Sequence, residues 1–230
     1  MTPRTGRREP QRDRRQANGA PTRWGAARGA TLLAVGVATV LVVVAFVVLN
    51  RDGDDAPPDD SELAAVSGIG AAAAPPWPAP VDVSDRAQEA GLTLGAMGTA
   101  EHYHVHVDVL VDGQPVAVPA NIGVDPSSGA MTGLHTHTPG GVVHIEASAT
   151  GQTFTVGQLF TQWDVKLTDG QLGSLRTDGD NELAVYVDGD RATGDIATTP
   201  LADRQQITVV YGPKAEPVDV PTSYDFGPEL

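Results

Sequence analysis

The sequence predicts an α+β domain, a mainly antiparallel or mixed β-sheet with one helix packed across it, preceded by a single transmembrane helix. Three observations carry this. Between Val81 and Lys214 the apolar residues mostly alternate with period two, as half-buried strands require. One segment, Phe154 to Trp163, switches to a helical period. An uncharged run from Ala30 to Leu49 lies well before both.

The first strand is the clearest. Tyr103, Val105, Val107, Val109 and Val111 form one face, and Asp112-Gly113 then supplies the left-handed positions of a tight turn into Pro115 to Pro119. A second Asp-Gly turn, Asp188-Gly189, follows Leu183, Val185 and Val187, and Ile207, Val209 and Tyr211 make a closing strand. In the helix, Thr155 and Gln158 have capping-box spacing and Phe154 and Leu159 have staple spacing. Val156, Leu159, Phe160 and Trp163 recur at i, i+3, i+4 and i+7, a core-facing stripe with no functional role. Ser84 to Leu92 is a second short helix, with Ser84 as its cap. The order of elements suits a β-grasp-like arrangement.

Outside residues 81–214 the chain divides by composition. Residues 1–29 hold eight Arg against Glu9 and Asp13, a net charge of +6, so the rest of this 230-residue chain carries −20 to give the total of −14. The uncharged run 30–49 spans about 30 Å of hydrocarbon at 1.5 Å per residue and has no cleavage site behind it, only Asn50, Arg51 and Asp52. The Arg asymmetry places the N-terminal arm in the cytoplasm and the C-terminal domain outside the cell membrane. Residues 50–80 mix Asp, Ala, Gly and Pro and read as a flexible linker, and residues 215–230 as a disordered tail. Gly68-Ile69-Gly70 imitates part of a dinucleotide fingerprint but follows no strand and precedes prolines.

The charge and the missing cysteines exclude whole classes. A globular part this acidic repels phosphate backbones, so nucleic acid is not the partner. Without Cys there are no disulfides, thiolate metal sites or thiol nucleophiles. No Gly-x-Ser-x-Gly elbow or phosphate loop is present, and Asp178-Gly179-Asp180-Asn181-Glu182 lacks the Gly and Glu positions of a calcium loop.

Histidine is the informative residue. All six, His102, His104, His106, His135, His137 and His144, fall within a 43-residue window. On a strand, His102, His104, His106 and Asp108 leave from one face while Tyr103, Val105 and Val107 leave from the other. Leu134 to Glu146 reads as a hairpin turning at Pro139-Gly140, which sets His135 opposite His144 with Cβ atoms about 5 Å apart. Strand-spaced imidazoles converge on one point, and a third from a neighbouring strand completes a nitrogen site for Zn²⁺ or Cu²⁺, with bonds of about 2.0–2.1 Å. His104, His106, His135 and His144 are the expected principal ligands, with His102 and His137 as additional or second-site ligands. Asp108, Glu146 and Glu101 are placed to orient ring nitrogens or to act as a fourth ligand. Met97 and Met131 flank the two groups and offer thioethers to Cu⁺.

This pattern points to a membrane-anchored metal-binding protein for copper or zinc. Two other functions use the same residues. One is a zinc-dependent hydrolase or hydratase with Glu146 or Asp108 as base, and the other is a structural envelope module whose histidines respond to pH. Six histidines exceed the three a catalytic zinc needs, which favours binding over catalysis.

The segments EHYHVHVDVLVDGQPVAVPANIGVD and LHTHTPGGVVHIEA, with the FTVGQLFTQW helix and the ITVVYG strand, resemble a family of uncharacterised bacterial and archaeal proteins, many anchored in actinobacterial membranes. The resemblance covers roughly residues 85–213 and rests most on the two histidine motifs. It implies the domain limits and no particular activity.

Overall fold

A computed structural model describes residues 60–95, 97–216 and 218–228. The Arg-rich arm, the apolar run 30–49 and the start of the linker lie outside the described residues, and among those described no helix is long and apolar enough to cross a membrane.

The described residues are mainly β-sheet with a few helices. Strand β1 (Glu101–Val111) turns through Asp112-Gly113 into β2 (Gln114–Val116); β3 (Leu134–His135) and β4 (Val142–Ala147) follow. After β5 (Phe154–Thr155) and a helix come the short β6 (Leu167–Thr168), β7 (Gln171–Leu172) and β8 (Leu175–Arg176), then β9 (Asn181–Val187), β10 (Asp190–Arg191), β11 (Pro200–Leu201) and β12 (Gln206–Pro213). The main sheet has the order β10-β9-β12-β1-β4-β3, with β2 also paired to β1. At its centre β1 and β12 run parallel, in register from His106 opposite Gln206 to Val111 opposite Tyr211. Their outer neighbours, β4 and β9, are antiparallel to them. Both Asp-Gly turns form as their sequence requires, with Asp112, Gly113, Asp188 and Gly189 all at positive φ.

Among the described residues the α-helices are α1 (Asp60–Val66), α2 (Val83–Glu89) and α3 (Val156–Gln162). In α3 the capping box is complete: Gln158 N donates to Thr155 Oγ1, and Thr155 N donates to Gln158 Oε1. Val156, Leu159, Phe160 and Trp163 then pack on Val105, Val107, Val109, Val143, Ile145, Ile207 and Val209 in one continuous core. This accounts for the period-two strands. One sheet face is buried by the helix, and the even-numbered residues of β1, the histidines among them, go to the other face. Helix α2 starts at Val83 with Asp82 before it and no side-chain cap, rather than with Ser84 as cap.

Two segments differ from their composition. Residues 60–80, expected as part of a flexible linker, pack onto the domain. Leu63 and Val66 of α1 are buried, and Trp77 is buried edge-on against Trp163, with ring centroids 5.7 Å apart at 83°. Gly68 and Gly70 explain themselves here, because a Cβ at either would collide with the Leu167 or Val165 backbone. The composition argument fails because it averages over the segment, whereas a few apolar side chains supply the burial. The expected disordered tail differs in the same way: Phe226 is buried, and Arg204 sits over its ring at 5.1 Å.

Candidate metal centre

Three adjacent strands build the site. His144 of β4 is the register partner of His104 on β1 and of His135 on β3, so three imidazoles stand in a row across the sheet. The register between His135 and His144 is the one the sequence implied, although the connection is not a two-residue turn. After His135 the chain leaves β4: Thr136 N donates to Ile122 O, Asn121 N donates to Thr136 O, and Thr136 Oγ1 donates to Pro119 O. The register holds because Leu134 pairs with Ile145, and Glu146 N donates to Gly133 O.

Five of the six histidines come together as two groups sharing one member, His102–His104–His144 and His135–His137–His144. Within each group the candidate ligand nitrogens lie within 4.8 Å of one another, so either group can hold a metal ion. His104 Nε2 is 3.0 Å from His144 Nδ1, and His135 Nε2 is 3.1 Å from His137 Nε2. His135 is fully buried and donates from Nδ1 to Thr132 O at 2.8 Å. That bond fixes its tautomer and leaves Nε2 with the lone pair that could serve a metal, the usual arrangement for a histidine ligand. His102 and His137 are exposed; the His102 ring lies 4.8 Å from that of His104, and the His137 ring lies 4.7 Å from those of His135 and His144.

His106 is not part of either group. Its Nδ1 lies 2.8 Å from Gln206 Oε1 and its Nε2 lies 2.8 Å from Gly140 O, so protein oxygens hold both nitrogens. Tyr224 covers its ring, with centroids 3.8 Å apart and planes at 5°. Gly141 permits the approach of this loop, since a Cβ there would meet Val107 O at 2.2 Å and His106 Nε2 at 3.3 Å. Of the acids expected to orient ligands, Glu146 Oε1 lies 4.0 Å from His102 Nε2. Asp108 accepts from Gln206 Nε2 at 3.0 Å and lies 3.6 Å from His106 Nδ1, while Glu101 accepts from Gly151 N at 3.1 Å. Gln206, Thr132 and Tyr224 went unseen in the sequence. The one available signal was the Tyr224–Phe226 pair, two aromatic side chains close together in a chain with 5% aromatic residues.

Burial tunes the row. It holds the His144 imidazole down at about 4, with the neighbouring His104, His135, His137 and His102 adding to the effect. His104 is lowered by burial first and by His102 second. His135 is also lowered by burial, against the opposing pull of its bond to Thr132 O. The three central rings therefore favour the neutral form, which is the form that binds metal.

No family model, curated protein or solved structure matches the chain.

Proposed function

We propose that this chain is a membrane-anchored, extracytoplasmic protein that binds copper or zinc on the open face of a β-grasp-like sheet. The carrying observation is the clustering of five histidines from three neighbouring strands, with ligand nitrogens within 4.8 Å in each of two groups. The β-grasp-like reading is supported by the central parallel pair β1–β12, its antiparallel neighbours and the helix across one face. Copper or zinc is favoured over magnesium or calcium because the donors are nitrogens. Binding is favoured over catalysis because five histidines come together, more than the three a catalytic zinc needs. A pH sensor working near 6.5 is disfavoured by the depressed proton affinity of His104, His135 and His144. The resemblance to membrane-anchored actinobacterial proteins and the uncharged run 30–49 support the location.

The test is titration of Cu²⁺ and Zn²⁺ into the chelator-stripped full-length protein, beside His104→Ala and His135→Ala. Wild type should bind at least one of the metals far more tightly than millimolar, and each substitution should weaken it. Binding of neither metal better than about 1 mM would overturn the proposal. Location is read separately, by adding protease to spheroplasts. The folded domain should be digested, and its protection would refute the topology.

A further inference from the structure

His144 belongs to both histidine groups, and the strand order explains why. Strand β4 lies between β1 and β3, so ligands reach the His144 ring from opposite sides, His104 from one and His135 from the other. On the β1 side, Nδ1 of His144 is 3.0 Å from His104 Nε2. On the β3 side, His135 lies parallel to the ring at 5.4 Å and 8°, and His137 meets it edge-on at 4.7 Å and 74°. Because Thr132 O occupies His135 Nδ1, the nitrogens that His135 and His137 turn to each other, 3.1 Å apart, are both Nε2.

A single imidazole lone pair serves one ion. With His144 given to one group alone, the other is left with two histidines; Glu146, 4.0 Å from His102, belongs to neither group, and no carboxylate joins His135 and His137 in theirs. The ring has a second nitrogen on its other edge. We propose that His144 bridges two divalent cations as an imidazolate, Nδ1 serving the ion of His102 and His104 and Nε2 serving the ion of His135 and His137.

The proton balance is simple. A neutral His144 ring carries one N–H and one lone pair. The first cation takes the lone pair; the second takes the pair freed when the N–H proton passes to solvent, so the bridge releases one proton from His144. The first cation's charge favours that loss. With metal–nitrogen bonds of about 2.0 Å, the two ions sit on opposite edges of one ring, on the order of 6 Å apart. The chain's net charge of −14 and Glu146 beside His102 offset the accumulated positive charge.

This inference rests on the metal-binding reading, and the experiment separates the two. Cu²⁺ is titrated into the metal-stripped full-length protein and followed by low-temperature electron paramagnetic resonance. Two equivalents should bind, with the integrated signal rising through the first and falling through the second, because the bridge couples the two unpaired spins antiferromagnetically. His102→Ala and His137→Ala alter exposed rings and leave the core intact. Each should weaken one of the two equivalents at least tenfold and restore the full signal of a lone Cu²⁺. A signal that grows in proportion through two equivalents overturns the bridge and leaves metal binding standing, as does tight saturation at one equivalent. Failure to bind Cu²⁺ at all overturns the bridge together with the metal-binding reading.

Discussion

Tyr224 lies flat on His106, ring on ring at 3.8 Å and 5°. The stack joins the C-terminal segment to the open face of the sheet and closes His106 off from above, while Gln206 and Gly140 hold its two nitrogens from the sides. His106 thus ties the sheet, a loop and the tail together beside the row of clustered histidines.

Removing the ring of Tyr224 should therefore cost stability without touching metal. An aromatic stack adds about 0.5–1.5 kcal/mol beyond its buried area, so Tyr224→Ala should lower the unfolding free energy by about 1–2 kcal/mol. Urea denaturation reads this. A loss of metal stoichiometry in the same variant would contradict the separation of His106 from the two groups.

His106→Ala makes the sharper version of that test. It leaves the buried Gln206 Oε1 without its partner, a cost of about 1–3 kcal/mol, while Gly140 O lies on an exposed residue. Metal affinity measured on the folded fraction should change by less than threefold, whereas His104→Ala should weaken it by a factor of ten or more. Equal losses of affinity in the two variants would restore His106 to the ligand set.

Stability should fall with acid in a definite window. His144 titrates at about 4 in the folded chain and near 6.5 when unfolded, so between those values the unfolded state binds more protons. Its contribution is complete above about pH 6.5 and is lost as the pH falls towards 4. The full shift corresponds to about 3.4 kcal/mol, and discounting for a ring that is only partly buried leaves about 1–2 kcal/mol. Burial of His104 and His135 acts in the same direction. Urea midpoints measured from pH 7.5 to 4.5 should drop more steeply for wild type than for His144→Gln. Parallel slopes would remove the basis for a depressed His144.

Trp77 offers a test of where the folded unit begins. Replacing a buried Trp with Ala costs about 3–5 kcal/mol, so Trp77→Ala should be severely destabilised. By the same argument a fragment starting at residue 82 should melt well below one starting at residue 60. Identical melting of the two fragments would return residues 60–80 to the status of a tether.

The capping box gives a control remote from the histidines. Thr155→Ala removes the acceptor for Gln158 N and the partner of Ser67 Oγ, at a cost of about 1–2 kcal/mol. Metal titration should be unaffected, and a change there would mean that α3 sets the geometry of the row.

What the sequence determined by itself was everything governed by local periodicity. Alternation along β1 put His102, His104 and His106 on one face and the valines on the other, two Asp-Gly pairs made the turns, and Thr155 with Gln158 started the helix. The pairing of His135 with His144 was legible as well, although the two-residue turn from which it was read does not form and Leu134 with Ile145 holds the register instead. Tertiary structure decided which histidines meet. No local signal shows that β4 lies between β1 and β3, and that order is what makes His144 the member common to both groups. Likewise His106 looks the same as His104 in the strand pattern, but Gln206, 100 positions away, and the Gly140 loop take up its nitrogens. Strand alternation is set by the backbone of a few successive residues, whereas strand order and long-range partners depend on how the whole apolar face is buried. Trp77 and Tyr224 joined the domain for that second reason, from segments whose composition said they would not.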